Sequence, residues 1–105
     1  DKKRWIGYAT NIIGKIIVNN GAKKALIKET KSLLPIGVVG VVNEFNKGDV
    51  VSILDEGGAE FARGIVNYSS ADCEKVVGSH SDNILDILGF KNYDAIITRD
   101  NITIL

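Results

Sequence analysis

The apolar residues of this chain occur mostly in short β-type runs rather than in long helical stripes. Three such runs follow one another closely, at residues 38–45, 50–54 and 60–68. The polar and glycine-containing segments between them have the length of hairpin loops. The pattern therefore predicts a three-stranded meander with turns at residues 46–49 and 55–58.

Both faces of the predicted strands carry apolar side chains. Val51 and Ile53 share one face of the second strand, whereas Val50 and Leu54 share the other. Strands that are apolar on both sides fit a small curled barrel better than an open sheet with one wet face. The predicted fold class is therefore mainly β with short helices, as a mixed β-barrel flanked by helices.

A strand and a helix are predicted before the meander. Residues 16–18 form a short β-branched run, which the polar break at residues 19–21 ends. Asn20 is a good N-cap for a helix over residues 22–29. The apolar face of this helix ends near Leu26, so the helix should bury only a short face.

Two short helices and a hairpin are predicted after the meander. Ser69 and Asp72 make a start like a capping box for the first helix, and Gly89 fits the C-cap of the second. The apolar runs at residues 95–98 and 102–105 flank a polar turn. Together these two runs predict a closing β-hairpin.

The length of 105 residues fits one domain. We assign it to residues 6–105 and interpret residues 1–5 as the end of a linker, with Trp5 and Ile6 docking on the domain. The chain contains no methionine, which indicates a piece of something longer or a processed product. No apolar stretch approaches the roughly 20 residues that cross a bilayer, and Cys73 is the only cysteine. We expect a cytoplasmic location and no membrane partner.

Charge is distributed unevenly along the chain, although the formal net charge is zero. Residues 1–31 hold eight lysines and arginines and two acidic residues. Residues 32–105 hold five lysines and arginines and eleven acidic residues. Such asymmetry predicts one basic face on an acidic body. The candidate RNA or polyanion surface consists of Lys23, Lys24, Lys28 and Lys31. Lysines there would contact phosphates; the alternative is a plain solvated helix surface.

The residues do not assemble a recognisable catalytic set. His80 is the only histidine and lies seven positions from Cys73, whereas a zinc site needs several such ligands. Arg99 and Asp100 fit turn chemistry better than ligand contact, and the glycines form no phosphate loop. We therefore predict no catalytic, cofactor-binding or metal-binding residue, and expect Cys73 in the core and His80 in a loop.

Four short motifs carry a resemblance to a known family. They read SLLPxGV at residues 32–38, FxxGDVVxI at 45–53, GxExARG at 58–64 and YSS at 68–70. In these motifs the chain resembles the PUA domain, a pseudobarrel named for pseudouridine synthases and archaeosine transglycosylases. The order of four flanking pieces is similar to that in the C-terminal PUA domain of bacterial glutamate 5-kinases: KRWI, GxHS, ILGF and RDN.

The resemblance implies that this domain belongs to a longer enzyme. Glutamate 5-kinases use ATP and Mg²⁺ to phosphorylate the side-chain carboxylate of glutamate, in the first step of proline synthesis, and proline inhibits them. Their catalytic domain has an amino-acid-kinase fold and lies upstream, so no catalytic residue is carried over. The implied partners are that domain in the same chain and, in a homo-oligomeric parent, other copies.

The resemblance also implies a place for RNA. In other PUA proteins the first helix and the loop into the second strand contact RNA, and these correspond here to residues 20–31 and 32–38. We hypothesise an accessory domain that modulates the kinase or its assembly, with RNA binding as an additional role. The alternatives are an RNA-binding module of an RNA-modifying enzyme and a purely structural appendage.

Overall fold

The computed structural model describes residues 2–105, which form one five-stranded sheet with short helices around it. Its helices and strands, in chain order, are α1 (Lys2–Gly7), β1 (Lys15–Val18), α2 (Asn20–Lys28), β2 (Val38–Val42), β3 (Val50–Leu54), β4 (Glu60–Ile65), α3 (Ser70–Val76), α4 (Ile84–Leu88) and β5 (Ile102–Ile104). Short 3₁₀ turns occupy Pro35–Gly37, Ser81–Asn83 and Arg99–Asn101. The predicted fold class, mainly β with short helices, is confirmed.

The strands form one mixed sheet in the order β2-β1-β3-β4-β5. β1 is antiparallel to β2 and parallel to β3, and the remaining neighbours are antiparallel. The predicted hairpin between β3 and β4 is confirmed. The predicted meander is wrong at its first step, because β1 occupies the place beside β3 that the meander assigns to β2.

An isolated antiparallel bridge joins the segments that precede the two outer strands. The Leu33 N–H donates to the Ile97 carbonyl at 2.9 Å, and the Ile96 N–H donates to the Leu33 carbonyl at 2.8 Å. Leu33 leads into β2 and Ile97 into β5, so this bridge draws the curled sheet together into a pseudobarrel. The predicted closing hairpin is wrong, because Ile96 and Ile97 hydrogen-bond to Leu33 while β5 pairs with β4.

The core combines buried side chains from every strand with apolar residues of α2, α3 and α4. Tyr68 is the largest of the fully buried side chains. Its hydroxyl donates to the Tyr93 carbonyl at 2.5 Å and accepts from the Tyr93 N–H at 3.0 Å, which fixes the segment after α4. Cys73 is 1% exposed, as predicted. Burial, with the nearby carboxylates of Asp72 and Glu74, raises the pKa of its thiol to about 12, so it stays protonated.

Local capping explains where the helices begin and end. The N-cap of α2 is Asn19, whose side chain accepts a hydrogen bond from the Ala22 N–H at 2.8 Å. The prediction of Asn20 is therefore wrong by one position. Ser69 caps α3 and Gly89, at a φ of 81°, ends α4, both as predicted. None of the helices in residues 2–105 is long and apolar enough to span a membrane.

The first described residues form a helix that packs on β4 and β5. Ile6 is fully buried, whereas Trp5 is 65% exposed. Of the two side chains predicted to dock on the domain, only Ile6 does so. The Thr103 hydroxyl donates to the Lys3 carbonyl at 2.6 Å and so ties α1 to β5.

Gly64→Ala should destabilise the domain, because β4 has no room for a side chain at this position. A Cβ atom there would lie 2.7 Å from Cγ2 of Ile97 and 3.0 Å from the Asn101 carbonyl oxygen. We expect the free energy of unfolding, measured with urea, to fall by about 1–3 kcal/mol.

Gly40→Ala in β2 is the matched control for this substitution. The nearest atom to its Cβ would be Cδ1 of Ile17, at 3.5 Å, which is ordinary contact. Both substitutions restrict the unfolded chain in the same way. An equal loss of stability in the two variants would contradict the close packing of Ile97 on β4.

Candidate nucleic-acid interface

Lys24 and Lys28 are the two cations of α2 that are free within the part of the chain that the structure describes. They lie one helical turn apart, so their side chains are neighbours on the helix surface. Both are exposed, and neither forms an ion pair or a side-chain hydrogen bond with another residue in 2–105. Two adjacent, solvated ammonium groups on a helix can bind phosphates through their charge.

Lys23 is directed away from this pair. Its Nζ lies 2.8 Å from a carboxylate oxygen of Asp55 and 5.4 Å from the ring centroid of Phe61. The side chains of Lys23 and Asp55 are only 34% and 17% exposed. Of the four lysines predicted to form the surface, Lys23 therefore has its charge largely compensated within the domain.

Asp55 joins α2 to the turn between β3 and β4. Its Oδ2 accepts from Lys23, and its Oδ1 accepts from the backbone N–H groups of Gly57 and Ala59 at 3.0 and 2.9 Å. The Lys23 hydrogen bond, followed by that of Ala59, lowers the pKa of Asp55. One carboxylate thus closes the β3–β4 turn and holds the helix against it.

Lys31 lies beyond the end of α2, at the meeting point of two grooves. Thr30 adopts a φ of 51°, so the chain leaves the helix direction just before Lys31. The Lys31 Nζ is 3.5 Å from a carboxylate oxygen of Glu29, and both side chains are more than half exposed. Such a pair contributes little to stability and leaves the ammonium accessible.

The first of these grooves, of about 290 Å³, lies between α2 and the segment into β2. Its lining is mainly apolar and includes Leu34 and Ile36, which are 41% and 54% exposed. Gly37 allows the segment to approach the helix closely, because a Cβ there would lie 2.6 Å from Cβ of Ala22. An apolar groove beside the free lysines of α2 could receive part of a ligand other than its phosphates.

The second groove, of about 340 Å³, lies between the end of α2 and β5. Three cations from separate parts of the chain line it, and no carboxylate among residues 2–105 does: Lys3, Lys31 and Arg99. We call it the basic groove. The Arg99 N–H donates to the Ser32 hydroxyl at 2.9 Å, which ties the turn that carries Arg99 to the segment after α2.

Sequence reasoning missed two residues of the basic groove. The basic charge of residues 1–31 was a signal for Lys3. Arg99 has the turn position that the sequence predicts, and no sequence signal indicated that this turn lies against Lys31.

His80 has a local structural task. It lies between α3 and α4, as predicted, and its Nδ1 accepts a hydrogen bond from the Asp82 N–H at 3.1 Å, which caps a 3₁₀ turn. Within residues 2–105 no three histidine, cysteine or acidic side chains are grouped so that they could hold a metal ion.

Comparison with known proteins identifies relatives over nearly the whole chain. The model of the PUA domain family matches residues 14–88. The chain is 45% identical over 104 residues to the glutamate 5-kinases of Caldanaerobacter subterraneus subsp. tengcongensis and Moorella thermoacetica. It is 46% identical over 103 residues to that of Nostoc sp.. These alignments cover 98–99% of the chain but only 27–28% of each relative, so the chain spans little more than a quarter of their length.

Two solved structures share the fold. A PUA domain from Aeropyrum pernix K1, crystallised as a tartrate complex, aligns with a TM-score of 0.59 and 28% identity over 82% of this chain and 41% of that one. A conserved PUA domain protein from Thermoplasma acidophilum aligns with a TM-score of 0.53 and 17% identity, over 80% and 46%. The family match includes α2, where the free lysines lie, and the segment into β2.

Lys23→Gln should raise the pKa of the Asp55 carboxyl, because it removes the main partner of the carboxylate. Since the folded-state pKa of Asp55 is lowered, the interaction stabilises the fold above the unfolded-state pKa, near 4. This stabilisation is lost as the pH falls through the folded-state pKa. A carbon-13 NMR titration of the Asp55 carboxyl measures the shift.

Lys24→Gln is the matched control, since it removes the same charge from the next position without touching Asp55. We expect the Asp55 titration of this variant to follow that of the unmodified chain. If Lys23→Gln also left the titration unchanged, the Lys23–Asp55 contact would be absent in solution.

Proposed function

Because the chain belongs to the PUA domain family, we propose that it is the C-terminal PUA domain of a glutamate 5-kinase and that it modulates this enzyme or its assembly. The supporting observation is 45% identity to glutamate 5-kinases along 99% of the chain. The chain matches about 28% of each of these relatives. In the proposed parent, an upstream amino-acid-kinase domain that uses ATP and Mg²⁺ accounts for the rest.

The chemistry of the described residues favours an accessory role. Fully buried apolar side chains such as Ile16, Val51 and Ile53 belong to one packed core. The acidic side chain of Glu60 in β4 is already engaged: Arg63, with a hydrogen bond from the Ser52 hydroxyl, lowers its pKa. A domain of this kind would act on a kinase through contact and position rather than through chemistry of its own.

Removing the domain from the parent enzyme tests this function. We expect a parent that lacks residues 1–105 to keep phosphorylating glutamate, because the catalytic residues lie upstream, but to show altered inhibition by proline or an altered number of subunits per oligomer. Trapping of glutamyl phosphate with hydroxylamine measures the activity, and the molar mass from light scattering, divided by the subunit mass, gives the number of subunits.

Each part of the proposed function has its own contradicting result. A full-length parent that does not phosphorylate glutamate would refute the assignment to this enzyme. A truncated parent with unchanged proline inhibition and an unchanged number of subunits would refute the modulatory role and leave the assignment in place.

Binding of structured RNA is the second candidate function, either within the kinase or in an RNA-modifying enzyme. It is favoured by the free ammonium groups of Lys24 and Lys28, on the helix whose end lines the basic groove. These cations lie in or beside the part of the fold that contacts RNA in other PUA proteins. Since the chain has no net charge, attraction of a polyanion would depend on this face alone.

Lys28→Glu should weaken RNA binding, because it replaces a free phosphate-binding group with a repelling one. The double variant Lys24→Glu/Lys28→Glu should weaken binding further. We expect the slope of log affinity against log salt concentration to fall by about 1 for each RNA phosphate that the domain no longer neutralises. Filter binding of a structured RNA over a salt series measures both effects.

Lys75→Glu on α3 is the matched control, because it changes the net charge equally at another exposed helix position. It should retain the affinity and salt slope of the unmodified chain. Equal weakening by Lys75→Glu would show attraction without a defined surface, and absence of RNA retention at low salt would exclude this function.

A further inference from the structure

A groove of about 720 Å³ beside α1 carries exposed aromatic and aliphatic side chains. Trp5, Tyr8 and Ile13 line it and are 65%, 72% and 65% exposed. Phe45 and Val50 line it as well. Isolated apolar side chains are common on protein surfaces, but a cluster that includes an exposed tryptophan marks an interaction site. We call this cluster the aromatic groove.

The loop at residues 8–14, which carries much of the aromatic groove, is held in place by side chains from the sheet and its edge. The Arg63 guanidinium donates to the Ala9 carbonyl at 3.2 Å. The Asn43 side chain donates to the Ile13 carbonyl at 3.0 Å. A surface that is already ordered loses little conformational entropy when a partner binds, so this groove is prepared for contact.

The exposure of Trp5 does not result from a loose helix. Ile6, its neighbour in α1, is fully buried, and the Lys3 carbonyl accepts a hydrogen bond from the Thr103 hydroxyl at 2.6 Å. The helix is therefore anchored on both sides of Trp5 while the indole faces away from the core.

The charges around the groove favour a protein partner over a nucleic acid. Glu44 and Asp49 line it and would repel phosphates, whereas the Arg4 guanidinium carbon lies 5.9 Å from the Tyr8 ring centroid. An apolar centre with a rim of mixed charge is typical of protein interfaces. The cations suited to a polyanion lie instead on α2 and in the basic groove.

We propose that the aromatic groove is the docking surface for the catalytic domain of the same polypeptide, an inference that rests on the proposed function. The chain is only about 28% of the length of its glutamate 5-kinase relatives, so a much larger part of the parent must be placed beside it. An upstream domain would join the chain at α1, within a few residues of Trp5. Such a tether makes docking intramolecular, at an effective concentration of about a millimolar, so a small apolar patch is sufficient.

Hydroxyl-radical footprinting with mass spectrometry tests this docking, because it reports the accessibility of individual side chains. The 105-residue chain, which contains its own hydrophobic core, is compared with the full-length parent. We expect Trp5 and Tyr8 to be oxidised several-fold more slowly in the parent. Phe90, which is 41% exposed and does not line the groove, should be oxidised equally fast in both.

A pair of parent variants provides a second, independent measurement. Trp5→Ser/Tyr8→Ser should weaken the docking of the two domains and accelerate proteolysis of the segment that joins them several-fold. Leu85→Ser, at a 55% exposed residue outside the groove, should leave the rate unchanged. Neither Trp5 nor Tyr8 belongs to the core, so the domain should remain folded in the double variant.

The outcomes separate docking from the proposed function. If the parent phosphorylates glutamate but Trp5 and Tyr8 are oxidised as fast as in the isolated chain, docking is refuted and the proposed function stands. If the parent does not phosphorylate glutamate, the proposed function fails and docking fails with it. Protection in the isolated chain that increases with its concentration would assign the groove to a second copy and overturn the proposal.

Discussion

The placement of β1 between β2 and β3 determines the rest of this structure. Both edges of the strand are paired, parallel to β3 and antiparallel to β2, and its Ile16 and Val18 are fully buried. Parallel neighbours cannot be joined by a tight hairpin and need a long connection. That connection is residues 19–49, which contain α2 and β2. The location of the helix with the free lysines is thus a consequence of one parallel pairing.

Because the curled sheet is closed, the features of this domain that could bind a partner lie on its surface. Leu33 and Ile97, which make the closing bridge, are almost completely buried, and Gly64 leaves the space into which the Ile97 side chain packs. Once the interior is filled in this way, the remaining concave features lie between elements on the surface. The domain can therefore recognise partners through surface grooves and charges. RNA binding and docking of a catalytic domain would both use surfaces of this kind.

Local features of the structure were predictable from sequence, whereas long-range partners were not. The caps at Ser69 and Gly89 depend on a few adjacent residues, so their patterns were sufficient. Hydrophobic alternation shows that a run is a strand but not which strand lies beside it. The first step of the meander and the closing hairpin were therefore wrong, whereas the β3–β4 hairpin was right. The same limit applied to the surface lysines. Lys23 pairs with Asp55, 32 positions away. Arg99 lines the basic groove only because the closed fold places its turn beside the end of α2.

The position of α1 explains how two surfaces of different chemistry fit on a domain of this size. Lys3 lines the basic groove, whereas Trp5 lines the aromatic groove. Two residues that are two positions apart in a helix point about 200° apart around its axis, so they project from nearly opposite sides of α1. A catalytic domain seated on the Trp5 side would leave the Lys3 side open. Assembly and polyanion binding would then use separate faces of one short helix, and neither would exclude the other.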